Sequence, residues 1–263
     1  MHVGDLELLG SGREAEVFVW GEGRVLRLAR EDAAPDMIER EATALAAAHA
    51  AGANVPGIYE RVAVDERPGL VLDRVDGGDL LGRLERRPWS VLSVARVLGS
   101  EHAALHAIEA PAALPPLRED LRDRLGSPLV PARVRGRALE RLAHLPDGDR
   151  LLHGDFHPGN LLYASHGCVV IEWTNGARGD PAADVARTVL LMIGGTLPDE
   201  ASLRLRLLAP PARRALLAGY LRTYVRTSPL DRALVDPWLP VWAAARLSEG
   251  IEAERDRLVR RAS

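Results

Sequence analysis

The segment His153-Gly-Asp-Phe-His-Pro-Gly-Asn160 puts two histidines, a carboxylate and a carboxamide within eight residues. Pro158-Gly159 forces it into a loop. Asp155 and Asn160 stand five apart. On one rigid loop after a strand, such a pair can divide the work of phosphoryl transfer. The carboxylate accepts or orients the proton of an attacking hydroxyl, and the carboxamide reaches back to a Mg²⁺ on the phosphates. The plain alternative is a surface turn capped by Asp155 and Asn160.

The elements around this loop follow from pattern. LELLGSG, EVFVWGEG and RVLRLAR read as short strands joined by Gly-containing turns. Pro35 stands at an expected first helical position and Gly52 just past the helix end. IYERVAV and GLVLDRV read as two more strands around the turn DERPG, so residues 1 to about 75 form a small sheet with one helix. From DGGDL onward the pattern is helical, including WSVLSVARVLGSEHAALHAIEA, which ends at Pro111. LLHGDFHPGNLLY and CVVIEW then supply two strand-like runs around the loop, and the remainder is helical with breaks at LAPP, TSPL and DPW. These last proline-punctuated helices read as packing elements around a cleft.

Gly10-Ser11-Gly12-Arg13-Glu14-Ala15-Glu16-Val17 reads GxGxxAxV. A Rossmann loop needs a helix directly after it; here a strand-like EVFVW follows, so the glycines cap a hairpin. That hairpin is either a plain turn or a phosphate-covering loop. On the first helix Ile38, Glu41, Leu45 and Ala48 fall on one stripe. A carboxylate in an apolar stripe is costly unless paired; the alternative is a solvated surface charge.

The composition excludes several chemistries. All 34 basic residues are arginine. Without lysine there is no Schiff base, no pyridoxal-phosphate chemistry and no Walker A loop. A bias toward Ala, Arg, Leu and Gly accounts for the general absence. A net charge of -3 gives no case for nucleic acid or an anionic membrane. Cys168, the single cysteine, sits in an apolar run and reads as core. His102 and His106, four apart with no HExxH and no third ligand nearby, read as packing or surface polarity. Ser90, Ser93 and Ser127 lack any triad context. No apolar run is long enough to span a bilayer, and no charged and apolar leader follows Met1, so a soluble cytoplasmic protein is expected.

HGDFHPGN, VVIEW and GDPAADVA together resemble the aminoglycoside phosphotransferase family, small-molecule kinases with a protein-kinase-like fold. The Asp155–Asn160 spacing is also that of the kinase catalytic loop. The resemblance runs from GSGREAEVF to WAAARLSEGIEAER. It implies a two-lobed α+β fold, with a β-rich nucleotide-binding lobe over 1–73 and a larger, mostly helical catalytic and substrate-binding lobe over 74–263. It implies transfer of the γ-phosphoryl group of ATP or GTP to a hydroxyl of a small molecule, with Mg²⁺. Asp155 matches the catalytic aspartate and Asn160 a metal ligand. His157 stands where protein kinases place a lysine, either touching the transferring phosphate or bracing the loop. His153 packs under the loop and Asp184 braces it. Gly10, Ser11 and Gly12 cover the phosphates, Arg27 held by Glu41 anchors them, and the backbone around Leu72, Asp73 and Val75 meets adenine.

Two positions depart from that pattern. The family's IDW, whose aspartate holds metal, is here Ile171-Glu172-Trp173. Glutamate is a competent oxygen ligand for Mg²⁺, but its extra methylene shifts the carboxylate in a site that demands near-ideal geometry. Arg27 replaces a lysine. The rival to an active enzyme is therefore a nucleotide-binding, pseudokinase-like protein acting through partner contacts. A protein kinase fits poorly, since only Trp173 to Gly179 separate Glu172 from Asp180. An antibiotic such as an aminoglycoside, and hence a resistance role, is one acceptor class. However, residues 201–263 carry 12 arginines against 6 acids, a net of +6, which weighs against a polycation. A less cationic antibiotic, a sugar or an amino alcohol stays open.

Overall fold

Apolar residues on short, turn-bounded runs drive the first part of the chain into an antiparallel sheet. β1 (Leu8–Ser11), β2 (Ala15–Val19) and β3 (Arg24–Ala29) form a meander, α1 (Met37–Ala50) follows, and β4 (Ile58–Val64) and β5 (Arg67–Asp73) complete a sheet ordered β1-β2-β3-β5-β4. The computed structural model describes residues 2–34, 36–165, 167–194, 203–228 and 230–263. Pro35 lies outside these residues; α1 begins at Met37 and its chain exits through Gly52 in the left-handed conformation. The β4–β5 turn is tighter than DERPG suggests. Asp65 and Glu66 both take positive φ, 50° and 64°, which makes a two-residue hairpin turn, and Pro68 enters the strand opposite Ala63.

β3 lies at the middle of the sheet. Arg27 pairs across to Val17 on β2 and Leu70 on β5, and its neighbours Leu26 and Leu28 are fully buried. Side chains alternate across a strand, so Arg27 faces opposite to those two leucines. They join Phe18, Val64 and Val71 in a small core on one side, while α1 covers the other. The apolar stripe of α1 is realised: Ile38, Glu41, Leu45 and Ala48 are all buried.

The rest of the chain is mostly helical. Two-residue β6 (Gly78–Asp79) leads to α2 (Leu80–Arg86), α3 (Val91–Leu105), α4 (Leu117–Gly126) and α5 (Ala132–His144). The expected loop is carried by short strands, β7 (Arg150–Leu152) before it and β8 (Leu161–Ala164) after it. β9 (Gly167–Val170) and β10 (Ala177–Gly179) pair with β8 and β7 respectively. α6 (Pro181–Gly194), α7 (Leu203–Thr227), α8 (Trp238–Arg246) and α9 (Arg255–Ala262) close the fold. α7 corrects the expected break at LAPP: the helix continues through Pro210 and Pro211. Both prolines are exposed, and packing of Leu216, Tyr220 and Tyr224 keeps the helix whole. Cys168 is buried, as its apolar run implies.

α3 and α7 pack closely through Gly99. A Cβ there would meet the Tyr220 carbonyl oxygen and Thr223 Cβ at 2.7 Å. Gly99→Ala is therefore expected to destabilise the fold by about 1–3 kcal/mol despite its better helix propensity. Thermal unfolding reads this directly, and an unchanged or higher Tm would contradict the close packing.

Candidate active site

Arg27 is buried at the back of a cleft of about 390 Å³ and is held by two carboxylates. Its Nε donates to Glu41 Oε2 at 2.7 Å, while Nη1 and Nη2 donate to the two oxygens of Glu172 at 2.7 and 2.8 Å. The expected Arg27–Glu41 pair is thus present, and the forked guanidinium adds a bidentate bond that a lysine could not make. Burial opposes the charge on Arg27, but Glu41 and Glu172 outweigh it and raise its pKa. Glu172 takes a left-handed backbone, φ 68°. That conformation costs a non-glycine residue roughly 1–2 kcal/mol, and aspartate tolerates it better than glutamate.

Leu72, Asp73 and Val75 line the same cleft, with Leu9, Val17 and Val25 from the sheet and Leu162 and Ile171 from below. The Asp73 carboxylate is occupied elsewhere: it accepts from the Gly57 N–H at 2.7 Å and from the Tyr59 hydroxyl at 2.8 Å. Its N–H donates to the Gly57 carbonyl, and that of Arg74 to the Gly23 carbonyl. Gly10, Ser11 and Gly12 sit at the β1–β2 hairpin, closed by a Gly12 N–H bond to the Ala15 carbonyl, and do not line the cleft.

The 153–160 loop is built from buried hydrogen bonds. His153 is fully buried; Asp155 N–H donates to its Nδ1 at 3.2 Å, and its Nε2 lies 2.9 Å from the Ile171 carbonyl. The ring therefore joins the Asp155 loop to the Glu172 segment, and burial lowers its pKa and keeps it neutral. Asn160 Nδ2 donates to the Asp155 carbonyl at 2.8 Å, its Oδ1 accepts no hydrogen bond among the described residues, and Ile171 N–H donates to the Asn160 carbonyl at 3.0 Å. His157 Nδ1 accepts from the Gly159 N–H, and its Nε2 lies 3.5 Å from Asp155 Oδ2. Its ring thus stabilises the loop and faces the carboxylate at once. Burial opposes the charge of Asp155, yet His157 and Arg187 hold it well below the usual carboxylate range.

Asp184, fully buried on α6, braces the loop from beneath. It accepts from the backbone N–H groups of His153 at 2.6 Å and Gly154 at 3.1 Å. His102 and His106 reach Asp184 Oδ2 with Nε2 at 3.2 and 3.3 Å, and their Nδ1 atoms face the Tyr220 and Tyr224 hydroxyls at 2.7 and 2.6 Å. Asp184 thus supplies the third group that sequence spacing could not place beside the two histidines. Each ring nitrogen has a hydrogen-bond partner, so the cluster reads as a satisfied network. Burial, then His106, depresses the His102 pKa to about 3.

Spacing did not reveal Arg187. It is buried on α6, 3.7 Å from Asp155 Oδ1, and its Nη2 donates to Glu249 at 2.7 Å. The available signal was an arginine inside the apolar run DVARTVLLM.

Oxygen donors suited to Mg²⁺, Asn160 Oδ1 and the Glu172 carboxylate, lie on segments tied by the Ile171–Asn160 bond. The sequence matches the Phosphotransferase enzyme family over residues 5–230. The chain belongs to this family. A search of curated protein sequences gives no match. Among solved structures it is similar to an amicoumacin kinase in complex with AMP-PNP, Ca²⁺ and amicoumacin (TM-score 0.67, 13% identity, 99% of this chain and 87% of that one). It is also similar to an aminoglycoside-3'-phosphotransferase of type VIII (0.61, 20% identity, 93% of each chain). A macrolide 2'-phosphotransferase from Brachybacterium faecium is a third (0.55, 22% identity, 98% and 92%). At these identities the likeness is one of fold, the kinase-like α+β architecture.

His102 is neutral in the fold but has an ordinary pKa near 6.5 when unfolded. Between about pH 6.5 and 3 the unfolded chain binds the extra proton, so stability falls as pH falls. Acidification from pH 6.5 to 5 is expected to cost on the order of 1–2 kcal/mol through this group. His102→Gln should be less stable at pH 7 and show a flatter dependence of Tm on pH. An equally steep dependence would contradict the neutral network.

Proposed function

We propose that this protein transfers the γ-phosphoryl group of ATP or GTP to a hydroxyl of a small molecule. The observation that carries the reading is the joining, through His153 and the Ile171–Asn160 bond, of the Asp155 loop to the Glu172–Arg27–Glu41 chain at the back of the cleft. Adenine would lie against Leu9, Val17, Leu72 and Val75. Arg27 would hold phosphate oxygens, with the Gly10–Gly12 turn closing over them. Asp155 orients the acceptor hydroxyl and takes its proton as the new O–P bond forms and the bond to the nucleoside diphosphate breaks. Its depressed pKa keeps the carboxylate ionised and makes it a weak base, so its main contribution is to orient the hydroxyl, with the proton moving late as the O–P bond forms. Asn160 and Glu172 would hold Mg²⁺, which neutralises charge on the phosphates. Catalysis is then mainly positioning and charge neutralisation.

One observation favours a second reading, nucleotide binding without transfer. Both Glu172 oxygens are taken by Arg27, and the residue sits in a left-handed conformation. The two readings separate in a coupled nucleotide-turnover assay with Mg²⁺ and Mn²⁺ over a panel of hydroxylated acceptors. The phosphotransferase reading predicts metal-dependent turnover that Asp155→Asn lowers about 10²–10⁴-fold with nucleotide binding retained. Binding without turnover for every acceptor would sink it. Glu172→Asp shortens the side chain and suits the left-handed backbone. It is expected to raise turnover by about tenfold, and unchanged turnover with unchanged metal affinity would contradict a limiting role for the longer carboxylate.

A further inference from the structure

Under the phosphotransferase reading the acceptor hydroxyl lies at Asp155, and beside Asp155 stands a cluster of arginines around Glu249. Arg187 Nη2 lies 3.7 Å from Asp155 Oδ1 and 2.7 Å from Glu249 Oε1. Arg246 Nη1 reaches the other oxygen of Glu249 at 2.9 Å. Arg13, on the turn after Gly12, comes within 3.6 Å of that same oxygen, and Arg124 on α4 lies 4.0 Å from Oε1. Four guanidiniums thus converge on one carboxylate.

Their other partners do not balance them equally. Arg246 also pairs with Glu254, and Arg124 with Asp120. Among the described residues, Arg13 has Glu249 as its only ionic partner, and Arg187 has only Glu249 and Asp155. Arg187 is 3% exposed, and its Nη1 has no hydrogen-bond partner among the described residues. A buried guanidinium donor without an acceptor is unfavourable. Burial accordingly lowers the Arg187 pKa against the pull of Glu249 and Asp155. A polycationic acceptor would need free carboxylates here. Glu249, the acid that could have offered one, is already shared among four cations.

Resting on the phosphotransferase reading above, we propose that the acceptor is a hydroxyl compound bearing an anionic carboxylate or phosphate group, recognised by Arg13, Arg124 and Arg187 around Glu249. Guanidinium forks match both groups through paired N–H donors. The cluster lies beside Asp155, so an anion bound there can place a neighbouring hydroxyl at the Asp155 carboxylate. Arg13 extends from the glycine turn to Glu249, which ties acceptor binding to the position of that turn.

Calorimetric titration tests this with the protein saturated by Mg²⁺ and ADP. The probes are gluconate, glycerate, glucose 6-phosphate and glycerol phosphate, each against its neutral counterpart, with kanamycin as the polycation. At least one anionic probe is expected to bind tenfold or more tightly than its neutral partner, and the carboxylate and phosphate arms identify which group is preferred. Arg13→Gln, at an exposed side chain, should lower that anion-to-neutral ratio at least fivefold, and Glu249→Gln should raise it. Tighter binding of kanamycin, no anion exceeding its neutral partner, or a ratio unmoved by Arg13→Gln would overturn the proposal. ADP failing to bind would instead count against the phosphotransferase reading, and the same probe comparison would then be made on the free protein.

Discussion

The guanidinium of Arg27 is the point on which the rest of the site depends. It is one buried cation shared between Glu41 on the helix and Glu172 beyond the 153–160 loop. Removing it would strand Glu41 as an uncompensated charge in an apolar stripe, a loss of about 3–5 kcal/mol for a buried ion pair. The same contacts set a functional constraint. To serve as phosphate anchor and metal ligand, Arg27 and Glu172 must exchange at least part of their mutual bond for the nucleotide. The exchange is between charge-assisted bonds on both sides, so it need not be prohibitive. Glu41 would keep the guanidinium in place while its other face is released.

Asp184 performs the corresponding task under the loop. Its two oxygens gather backbone N–H groups from His153 and Gly154 and ring nitrogens from His102 and His106. The tyrosines of α7 close the network through their hydroxyls. Close passage of α3 against α7 at Gly99 fixes where these partners stand. Position therefore passes from helix packing to a buried carboxylate, from that carboxylate to the loop backbone, and from the loop to Asp155.

What the sequence made legible was local. The glutamate in an apolar stripe signalled a buried ion pair because desolvation leaves few alternatives, and the family resemblance pointed to Arg27 as its partner. The strand after the glycine-bearing turn separated a hairpin from a dinucleotide-binding loop. Contacts that close over long stretches of chain were not legible. Asp184 meets His102 and His106 across more than 70 residues, and Glu249 meets Arg187 across 62. No periodicity encodes such pairings. The helix through Pro210 and Pro211 escaped for a related reason: local proline chemistry argues for a break, and tertiary packing prevails. Glu172 was visible as a departure, but its grip by Arg27 was not, since that depends on how the sheet and the loop segment meet.

The most direct measurement is a structure with Mg²⁺ and a non-hydrolysable ATP analogue bound. The role of Arg27 as a phosphate anchor predicts that the Arg27–Glu41 bond persists, that Arg27 turns its outer nitrogens to phosphate oxygens, and that Glu172 is released toward the metal. An intact bidentate Arg27–Glu172 pair beside a bound nucleotide would contradict it, because neither residue could then perform the role assigned to it.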